Sequence, residues 1–257
     1  MELKKTPLII AIAGKGRVGK TIVTILIAKA ISTSYKYKIL LIDADPTHPH
    51  LSKMVKLVPE KSLEKIRADL IDNTISKKED IQSLAETIDF KVYDAIKESK
   101  DFSLFSIGQP EGPGCFCPSN ALLRKVIGSI SSDFDIVLID CEAGLEQINR
   151  MVMKSIDTLL IVTDISLRSV ETANSIRESA KKFTNYKRVS VIINRSKGDI
   201  TNILDKLKEY NLDVLTIIPE DNSITEFDLE GKPIIDISET SISFQKIKKN
   251  IANILGI

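Results

Sequence analysis

The run from Gly14 to Thr21, GKGRVGKT, constrains the fold more than any other feature of the chain. It follows an apolar run, Leu8–Ala13, that predicts a buried strand, and it precedes Ile22–Ile31, which predicts a helix. This strand–loop–helix setting is the context in which the spacing G-x-x-x-x-G-K-[ST] forms a phosphate-binding loop. The backbone N–H groups of such a loop close around phosphate oxygens, and the helix N-terminus adds partial positive charge.

Residue types within the loop predict individual roles. Lys20 is expected to contact the β- and γ-phosphates, and the hydroxyl of Thr21 is expected to bind Mg²⁺. The loop also carries one lysine more than its spacing requires, Lys15, directly after the first glycine. The predicted nucleotide-binding residues here are Gly14, Lys15, Gly16, Arg17, Val18, Gly19, Lys20, Thr21 and Ile22.

The extra lysine makes the loop resemble the deviant phosphate loop K-G-G-x-G-K-[ST], which marks the ATPases that include the Min and Par proteins, the nitrogenase iron protein and several metal-insertion factors. In that group the first lysine reaches the nucleotide of a dimer partner. The resemblance therefore implies an ATP-dependent homodimer in which Lys15 and Lys20 assist hydrolysis. Arg17 stands where the family has its second glycine, and Ile22 replaces a usual second Ser or Thr. We expect these departures to weaken nucleotide binding or to slow turnover.

Length and charge limit the remaining possibilities. A chain of 257 residues is long enough for one large α/β domain. Its net charge of +1 gives no overall field to attract nucleic acid or an anionic membrane. No apolar stretch has transmembrane length. We expect a single cytoplasmic domain over residues 1–257, with no nucleic-acid partner and no stable membrane association.

Apolar runs of strand length recur along the chain, separated by segments such as Ser166–Phe183 and Ile200–Tyr210 that predict helices. The runs are continuous, which indicates strands buried on both faces of a parallel sheet. The alternation predicts a doubly wound α/β fold, with a mostly parallel sheet flanked by helices. The predicted strands are Leu8–Ala13, Ile39–Ile42, Leu104–Ile107, Ile136–Ile139, Thr158–Val162, Val189–Ile193 and Val214–Ile218.

Two segments outside this alternation predict further helices. The charge-rich stretch of residues 59–101 predicts a small helical insertion of two or three amphipathic helices. Ser241–Leu255 places its apolar residues on one helical face. That face has the width of a helix packed on the sheet, which we favour, and the alternative is a helix lying on a membrane surface.

Acidic residues follow two of the predicted strands. By resemblance to the first switch of these ATPases, Asp45 orients the attacking water and Asp43 supports Mg²⁺. Asp140 fits the Walker B position, which holds Mg²⁺ directly or through water. The segment Cys141–Gly144 resembles the second switch, so we expect it to change with the bound nucleotide.

Two later segments predict contacts to the nucleotide base. Asn194 and Arg195 follow a strand and resemble the Asn–Lys element that contacts adenine in related ATPases, with Arg in place of Lys. Pro219, Glu220 and Asp221 match the second base-contacting loop. An asparagine after a strand is also a common turn residue, and this alternative stays open.

A cysteine pair, Cys115 and Cys117, lies in a loop rich in glycine and proline. Two thiolates can bind one soft metal ion, but a thiolate site commonly has four. A two-fold dimer would supply four sulfurs, which suit Zn²⁺ in tetrahedral geometry or Ni²⁺ in square-planar geometry. The alternative is a pair of incidental thiols. Beside a loop that implies a dimer, the pair favours a shared Ni²⁺ or Zn²⁺ site.

Three segments resemble the CooC family of accessory ATPases, which help to insert nickel into carbon monoxide dehydrogenase. The resemblance implies a metallochaperone that uses ATP, ADP, Mg²⁺ and Ni²⁺ or Zn²⁺. Its client would be carbon monoxide dehydrogenase or a related nickel enzyme such as acetyl-CoA synthase. Gln147 stands where the family has His, and Cys141 is unusual there. The segments are Gly114–Arg124, Asp140–Glu146 and Ser169–Ala173.

Two other classes of protein share the deviant loop. A positioning ATPase of the Min or Par type would act on membrane or DNA, and an iron–sulfur carrier would resemble the nitrogenase iron protein. The near-neutral charge disfavours the first class, and the C-x-C spacing disfavours the second. Cys141, His48 and His50 could also approach a metal. We favour a buried thiol for the cysteine and an exposed switch loop for the histidines.

Overall fold

An eight-stranded sheet forms the centre of the structure, a computed structural model that describes residues 6–45, 50–66, 68–69, 90–108, 128, 130–141 and 155–257. The strands are β1 (Leu8–Gly14), β2 (Ile39–Ala44), β3 (Lys97–Glu98), β4 (Ser103–Ser106), β5 (Ile136–Cys141), β6 (Ser155–Thr163), β7 (Asn185–Ser196) and β8 (Val214–Pro219). Their order across the sheet is β3-β4-β2-β5-β1-β6-β7-β8. All neighbouring pairs are parallel except β3 with β4.

Helices cover both faces of this sheet, as the continuous apolar strands predict. They are α1 (Lys20–Ser34), α2 (Leu51–Met54), α3 (Leu167–Phe183), α4 (Thr201–Glu209), α5 (Asn222–Leu229), α6 (Ile242–Lys249) and α7 (Ile251–Leu255), with a 3₁₀ turn at Ile234–Asp236. Residues 63–66 and 90–94 are also helical. The predicted fold class, a doubly wound and mostly parallel α/β sheet, is confirmed.

The core divides into two clusters, one on each side of the sheet. One cluster joins the buried face of α1 with side chains of α6 and α7. The other joins α3 and α4 with Leu63, Ile66 and Val92 of the insertion. Every residue of β2 and β5 is buried, because these strands lie in the middle of the sheet between the two layers. Burial on both faces is what fixes the carboxyl ends of these strands in place.

The sequence predicted a helical insertion, but the described part of this segment is not purely helical. Its described part includes the short strand β3, which pairs antiparallel with β4 at the edge of the sheet. The sequence signal failed here because both residues of β3 are exposed and charged, so no apolar pattern marks the strand. Leu70, Ile81, Leu84 and Ile88 of the predicted insertion lie outside the described residues. The assignment of one domain to residues 1–257 stays a prediction.

The C-terminal segment folds as two helices instead of the single helix we predicted. Asn250 ends α6 and precedes α7, and its side-chain amide donates a hydrogen bond to the carbonyl of Lys246 at 2.8 Å. The predicted packing is confirmed, since the apolar residues are buried against the core. These residues are Phe244, Ile247, Ile251, Ile254 and Leu255. Among the described residues, no helix combines the length and apolarity needed to cross a membrane.

Candidate nucleotide-binding site

The predicted site residues meet at one edge of the sheet, where the parallel strands have their carboxyl ends. Asp43 near the end of β2 lies in register with Asp140 near the end of β5. The phosphate-binding loop follows β1, which is the other neighbour of β5. Asn194 lies near the end of β7 and reaches back to this loop. Polar side chains at the ends of buried parallel strands form the usual ligand crevice of such a fold.

Two glycines of the loop are required by close approaches of other groups. A Cβ atom on Gly14 would lie 2.2 Å from the carbonyl oxygen of Val162 on β6. Gly19 has a φ of 89°, and a Cβ atom there would lie 2.5 Å from Nδ2 of Asn194. Larger residues at these two positions would therefore displace backbone or break the contact between β7 and the loop.

The loop ends where α1 begins, at Lys20. The ammonium of Lys20 donates a hydrogen bond to the carbonyl oxygen of Lys15 at 3.2 Å, so its side chain folds back over the loop. Thr21 occupies the first turn of the helix, and its hydroxyl faces Asp140, where it lowers the pKa of that acid. Lysine and threonine therefore both lie at the junction of loop and helix, and their predicted contacts with phosphate and Mg²⁺ stay predictions.

Arg17 adopts a backbone conformation that favours glycine, with a φ of 69°. This conformation costs a non-glycine residue about 1 kcal/mol, which explains why the related loops carry glycine at this position. The end of β7 stabilises the turn. Arg195 donates from Nη1 to the carbonyl of Arg17 at 3.3 Å, and Asn194 donates from Nδ2 to the carbonyl of Val18 at 2.9 Å.

Asp140 is buried below the loop. Burial raises the pKa of its carboxyl group to about 6, against the lowering effects of a hydrogen bond from Thr21, the charge of Lys20 and a hydrogen bond from Thr24. The hydroxyl of Thr24 lies 3.3 Å from Oδ1 of Asp140. The carboxylate is therefore tied to the first turns of α1, although its negative charge remains poorly stabilised.

Asp43 is the less satisfied of the two acids. Burial, followed by the charge of Asp140, raises the pKa of Asp43 to about 7. Its Oδ1 accepts a hydrogen bond from the backbone N–H of Asp45 at 3.2 Å. Its Oδ2 has no hydrogen-bond partner among the residues that the structure describes. A buried carboxylate oxygen left in this way is unfavourable unless a cation or donor completes it.

These groups fit Mg²⁺, the metal ion expected with a nucleotide. Mg²⁺ prefers hard oxygen ligands, usually one or two carboxylates together with phosphate oxygens and water. Asp43, Asp140 and the hydroxyl of Thr21 supply such oxygens below the phosphate-binding loop. A divalent cation there would also stabilise the ionised forms of both acids.

Asp45 lies at the rim of this acidic group. Its side chain is half-buried, and its negative charge raises the pKa of both Asp43 and Asp140. The hydrogen bond from its N–H to Asp43 fixes the turn that follows β2. Asp45 is therefore close to the two acids without being buried with them, and its role in positioning water stays a prediction.

The residues predicted to contact the base line one cavity of about 240 Å³ beside α1. Ile22 of α1 also lines this cavity, and it joins the cavity to the loop. Glu220 is not free in this arrangement, because it forms an ion pair with Lys197 at 3.3 Å. The predicted members are Asn194, Arg195, Pro219, Glu220 and Asp221, and the lining residues that we did not predict are Ile224, Thr225, Asp228 and Ser243.

Asp221 holds two helices at the wall of this cavity. Its Oδ1 accepts from the backbone N–H of Ser223 at 3.0 Å and from the hydroxyl of Ser223 at 2.6 Å, which caps α5. Its Oδ2 accepts from the hydroxyl of Ser241 at 2.6 Å and from the N–H of Ser243 at 2.9 Å, at the start of α6. Burial alone would raise the pKa of Asp221, but these hydrogen bonds lower it to about 2.

The predicted cysteine site, Cys115 and Cys117, lies outside the described residues, as do His48, Glu142, Gly144 and Gln147. Cys141 is buried as we favoured, and burial raises the pKa of its thiol well above the usual value. His50 is exposed. The described part of the chain contains no cluster of three or more His, Cys, Asp or Glu residues suited to a metal ion.

Comparison with known proteins identifies the family. The sequence profile of the CobQ/CobB/MinD/ParA nucleotide binding domain matches residues 9–234. The chain belongs to this family, and it is an ATPase. It is 32% identical over 254 residues to an uncharacterized ATP-binding protein of Methanocaldococcus jannaschii, covering 97% of this chain and 99% of that relative.

Two further similarities are to proteins with different names. The chain is 29% identical over 244 residues to the carbon monoxide dehydrogenase accessory protein CooC of Rhodospirillum rubrum, covering 89% of this chain and 90% of CooC. The solved structure of the septum site-determining protein MinD of Pyrococcus horikoshii, complexed with Mg-ADP, aligns with a TM-score of 0.71. That alignment covers 96% of both chains at 24% identity, so it supports the fold alone.

Proposed function

We propose that the protein is a dimeric ATPase and metallochaperone, which binds Ni²⁺ or Zn²⁺ through Cys115 and Cys117 of both chains. The observation that carries the proposal is the C-x-C pair in a chain with a deviant phosphate-binding loop. The 29% identity to CooC supports a nickel enzyme as the client, either carbon monoxide dehydrogenase or a relative such as acetyl-CoA synthase.

ATP hydrolysis in this proposal follows from the acids and the loop. Lys20 and the loop N–H groups hold the phosphates, and Lys15 contacts the phosphates of the partner's nucleotide. Asp45 positions a water whose oxygen bonds to the γ-phosphorus while the bond to the bridging oxygen breaks. ADP takes the bond's electron pair, and the proton of the water leaves with phosphate or through Asp45. Mg²⁺ held by Thr21, Asp43 and Asp140 would neutralise charge on the phosphates.

The fold supports coupling between the nucleotide and the cysteines. The backbone N–H of Ile107 donates to the carbonyl of Asp43 at 2.9 Å, and Gly108 follows directly. Gly108 has a φ of 78° and packs against the side chain of Ser62. Gly108 is the last described residue before the segment with both cysteines, and it lies next in the chain to the residue that contacts Asp43. A shift of β2 on hydrolysis would therefore reach Ile107 and Gly108 through this hydrogen bond, and the chain continues from there toward the cysteines.

Anaerobic Ni²⁺ titration of the full chain tests the metal half of the proposal. We expect one Ni²⁺ for every two chains, a shift to the dimer in size analysis, and thiolate charge-transfer bands. The control protein carries Cys115→Ala and Cys117→Ala and should lose all three signals, whereas Cys141→Ala should keep them because this thiol is buried. The metallochaperone proposal would be refuted if the wild type and the double cysteine variant bound Ni²⁺ equally in the apo, ADP and ATP states.

Similarity to MinD favours a second candidate, a positioning ATPase that acts on membrane or DNA. Its test is sedimentation with anionic liposomes or with duplex DNA, in ATP and in ADP. ATP-dependent co-sedimentation that salt weakens would support this candidate. Absence of binding in both nucleotide states, with cysteine-dependent Ni²⁺ binding, would leave the metallochaperone as the better description.

A further inference from the structure

We infer that Arg17 is a second catalytic cation supplied in trans, whose guanidinium contacts the phosphates of the nucleotide bound by the partner copy of this chain. The inference rests on the proposed ATP-dependent dimer, and it adds a residue that the deviant loop does not otherwise use. Three observations carry it: the backbone conformation of Arg17, the absence of a partner for its side chain among the described residues, and the outward position of the residue on the loop.

The backbone of Arg17 is held in a conformation that glycine would adopt without steric penalty. Hydrogen bonds from Arg195 and Asn194 to the carbonyls of Arg17 and Val18 fix this turn from the end of β7. The chain therefore keeps a large charged side chain at a position where the loop geometry favours none. Strain of this kind at a binding loop points to a function of the side chain.

The guanidinium of Arg17 forms no hydrogen bond or ion pair with any residue that the structure describes. Arg177 and Arg188, by contrast, are both hydrogen-bonded to main-chain carbonyls. Lys15, Lys20 and Arg195 bring further positive charge to the same loop. Gathered cations of this kind repel one another unless a polyanion binds between them. The planar fork of arginine matches the oxygens of a phosphate group.

The position of Arg17 separates its role from that of Lys20. Lys20 folds over the inner side of the loop, where its own nucleotide would bind, and donates to the carbonyl of Lys15. Arg17 lies exposed at the outer turn, between exposed Gly16 and buried Val18. Its side chain therefore projects from the protomer, toward the surface that a partner loop would cover in the proposed dimer.

Three substitutions at Arg17 separate charge from backbone conformation. Arg17→Ala removes the charge but leaves a non-glycine residue at the unfavourable φ. Arg17→Gly removes the charge and also the steric penalty at this φ. Arg17→Lys keeps a positive charge but loses the planar guanidinium. We expect Arg17→Ala and Arg17→Gly to lower kcat about tenfold or more with little change in KM, and Arg17→Lys to restore part of it. Arg17→Gly should nevertheless raise the Tm. Lys182→Ala, on the exposed far end of α3, is the charge control and should match the wild type.

A mixing experiment tests whether Arg17 acts across the dimer. The second variant in the mixture is an acid variant that keeps Arg17 and is inactive by itself. We expect Asp45→Asn to be inactive, and Asp140→Asn replaces it if Asp45→Asn retains turnover. In an equal mixture of Arg17→Ala and the acid variant, the mixed dimer holds one complete site. Activity should recover to about a quarter of the wild-type rate, because half of the dimers are mixed and each has one of two sites complete.

The outcomes separate the two levels of inference. A mixture that stays inactive would overturn the trans assignment. Full kcat in Arg17→Gly, with ATP-dependent dimerisation intact, would overturn the role of Arg17 and leave the proposed dimeric ATPase standing. A wild-type protein that remains monomeric with ATP, and that is unaffected by Lys15→Ala, would overturn both.

Discussion

Three aspartates at one edge of the sheet are buried to a similar degree but differ in their surroundings. Asp43 and Asp140 lie near the ends of β2 and β5 with exposed fractions of 1% and 3%, and Asp221 follows β8 with an exposed fraction of 8%. The pKa values of the first two are raised to about 7 and about 6. The pKa of Asp221 is lowered to about 2. Burial alone therefore does not separate a structural carboxylate from one that awaits a ligand.

Hydrogen-bond completeness explains the difference. Both oxygens of Asp221 accept hydrogen bonds from Ser223, Ser241 and Ser243, so its charge is stabilised by the fold itself. Asp43 keeps one oxygen without such a partner among the described residues, and its neighbour Asp140 is another acid. A carboxylate that the fold completes acts as a helix cap, whereas an incomplete pair favours binding of a cation.

The largest expected effect is on catalysis, from Asp140→Asn. Loss of one carboxylate from the proposed Mg²⁺ site should lower kcat by about 10²-fold or more, because the metal ion would no longer stabilise the phosphates in the same position. Phosphate release at saturating Mg²⁺ and ATP measures this. Asp205→Asn, at an exposed position on α4, is the matched control and should retain the wild-type rate. A kcat of Asp140→Asn close to that of the control would refute the assignment of Asp140 to the site.

The next effect is on the stability of the nucleotide-free protein, from Asp43→Asn. Since the folded-state pKa of about 7 lies above the ordinary value of 3.8, the folded protein keeps a proton that the unfolded chain has lost between these values. Wild-type stability should therefore fall as pH rises through this window and level off above it.

The neutral amide removes this loss, so Asp43→Asn should be more stable than the wild type at about pH 8, by on the order of 2–4 kcal/mol, with the gain shrinking toward about pH 4. Urea unfolding across this pH range, without Mg²⁺ or nucleotide, measures the difference. A gain that is the same at every pH, or a loss of stability at about pH 8, would contradict the unsatisfied state of Asp43.

Asp221→Ala should lower the stability of the protein, in contrast to the gain expected for Asp43→Asn. Removal of this carboxylate leaves the starts of α5 and α6 without their cap, and should lower the free energy of unfolding by on the order of 2 kcal/mol. Because the folded pKa is about 2, this contribution should be constant above the ordinary Asp value and lost only as pH falls toward 2. Urea unfolding at neutral pH measures the loss, with Asp205→Ala as control, and a variant as stable as that control would show that Asp221 is not a structural cap.

The sequence predicted the parts of the site that lie next to strands. Asp43 and Asp140 each follow an apolar run, so parallel packing had to bring them to one edge. The loop from Gly14 to Thr21 could also be identified from the sequence, because phosphate geometry fixes the spacing of its glycines, lysine and threonine. Local pattern and fold class determine these features together, and no long-range information was needed.

The rest depends on contacts between distant residues. Asp221 was predicted to contact the base, but its partners Ser241 and Ser243 lie about twenty residues further on, and no local pattern joins them. The left-handed conformation of Arg17 is likewise set by the end of β7. The strand β3 was missed because pairing with β4, rather than apolar residues, stabilises it.

The smallest expected effect comes from Ser223→Ala, which removes only one of the hydrogen bonds that distinguish Asp221 from Asp43 and Asp140. This change removes the hydroxyl that donates a hydrogen bond to Oδ1 of Asp221. The other three donors to Asp221 stay in place: the backbone N–H of residue 223, the hydroxyl of Ser241 and the backbone N–H of Ser243. If completeness sets the difference between the aspartates, stability should fall by about 1 kcal/mol and the pKa of Asp221 should rise toward its ordinary value. Unfolding and an NMR titration of the carboxyl carbon measure both quantities. In the Asp221→Asn background the same serine change should have a smaller effect, since the charged acceptor is gone. Equal effects in the two backgrounds would mean that Ser223 acts on α5 by itself, and that its bond to Asp221 does not hold the carboxylate in its ionised form.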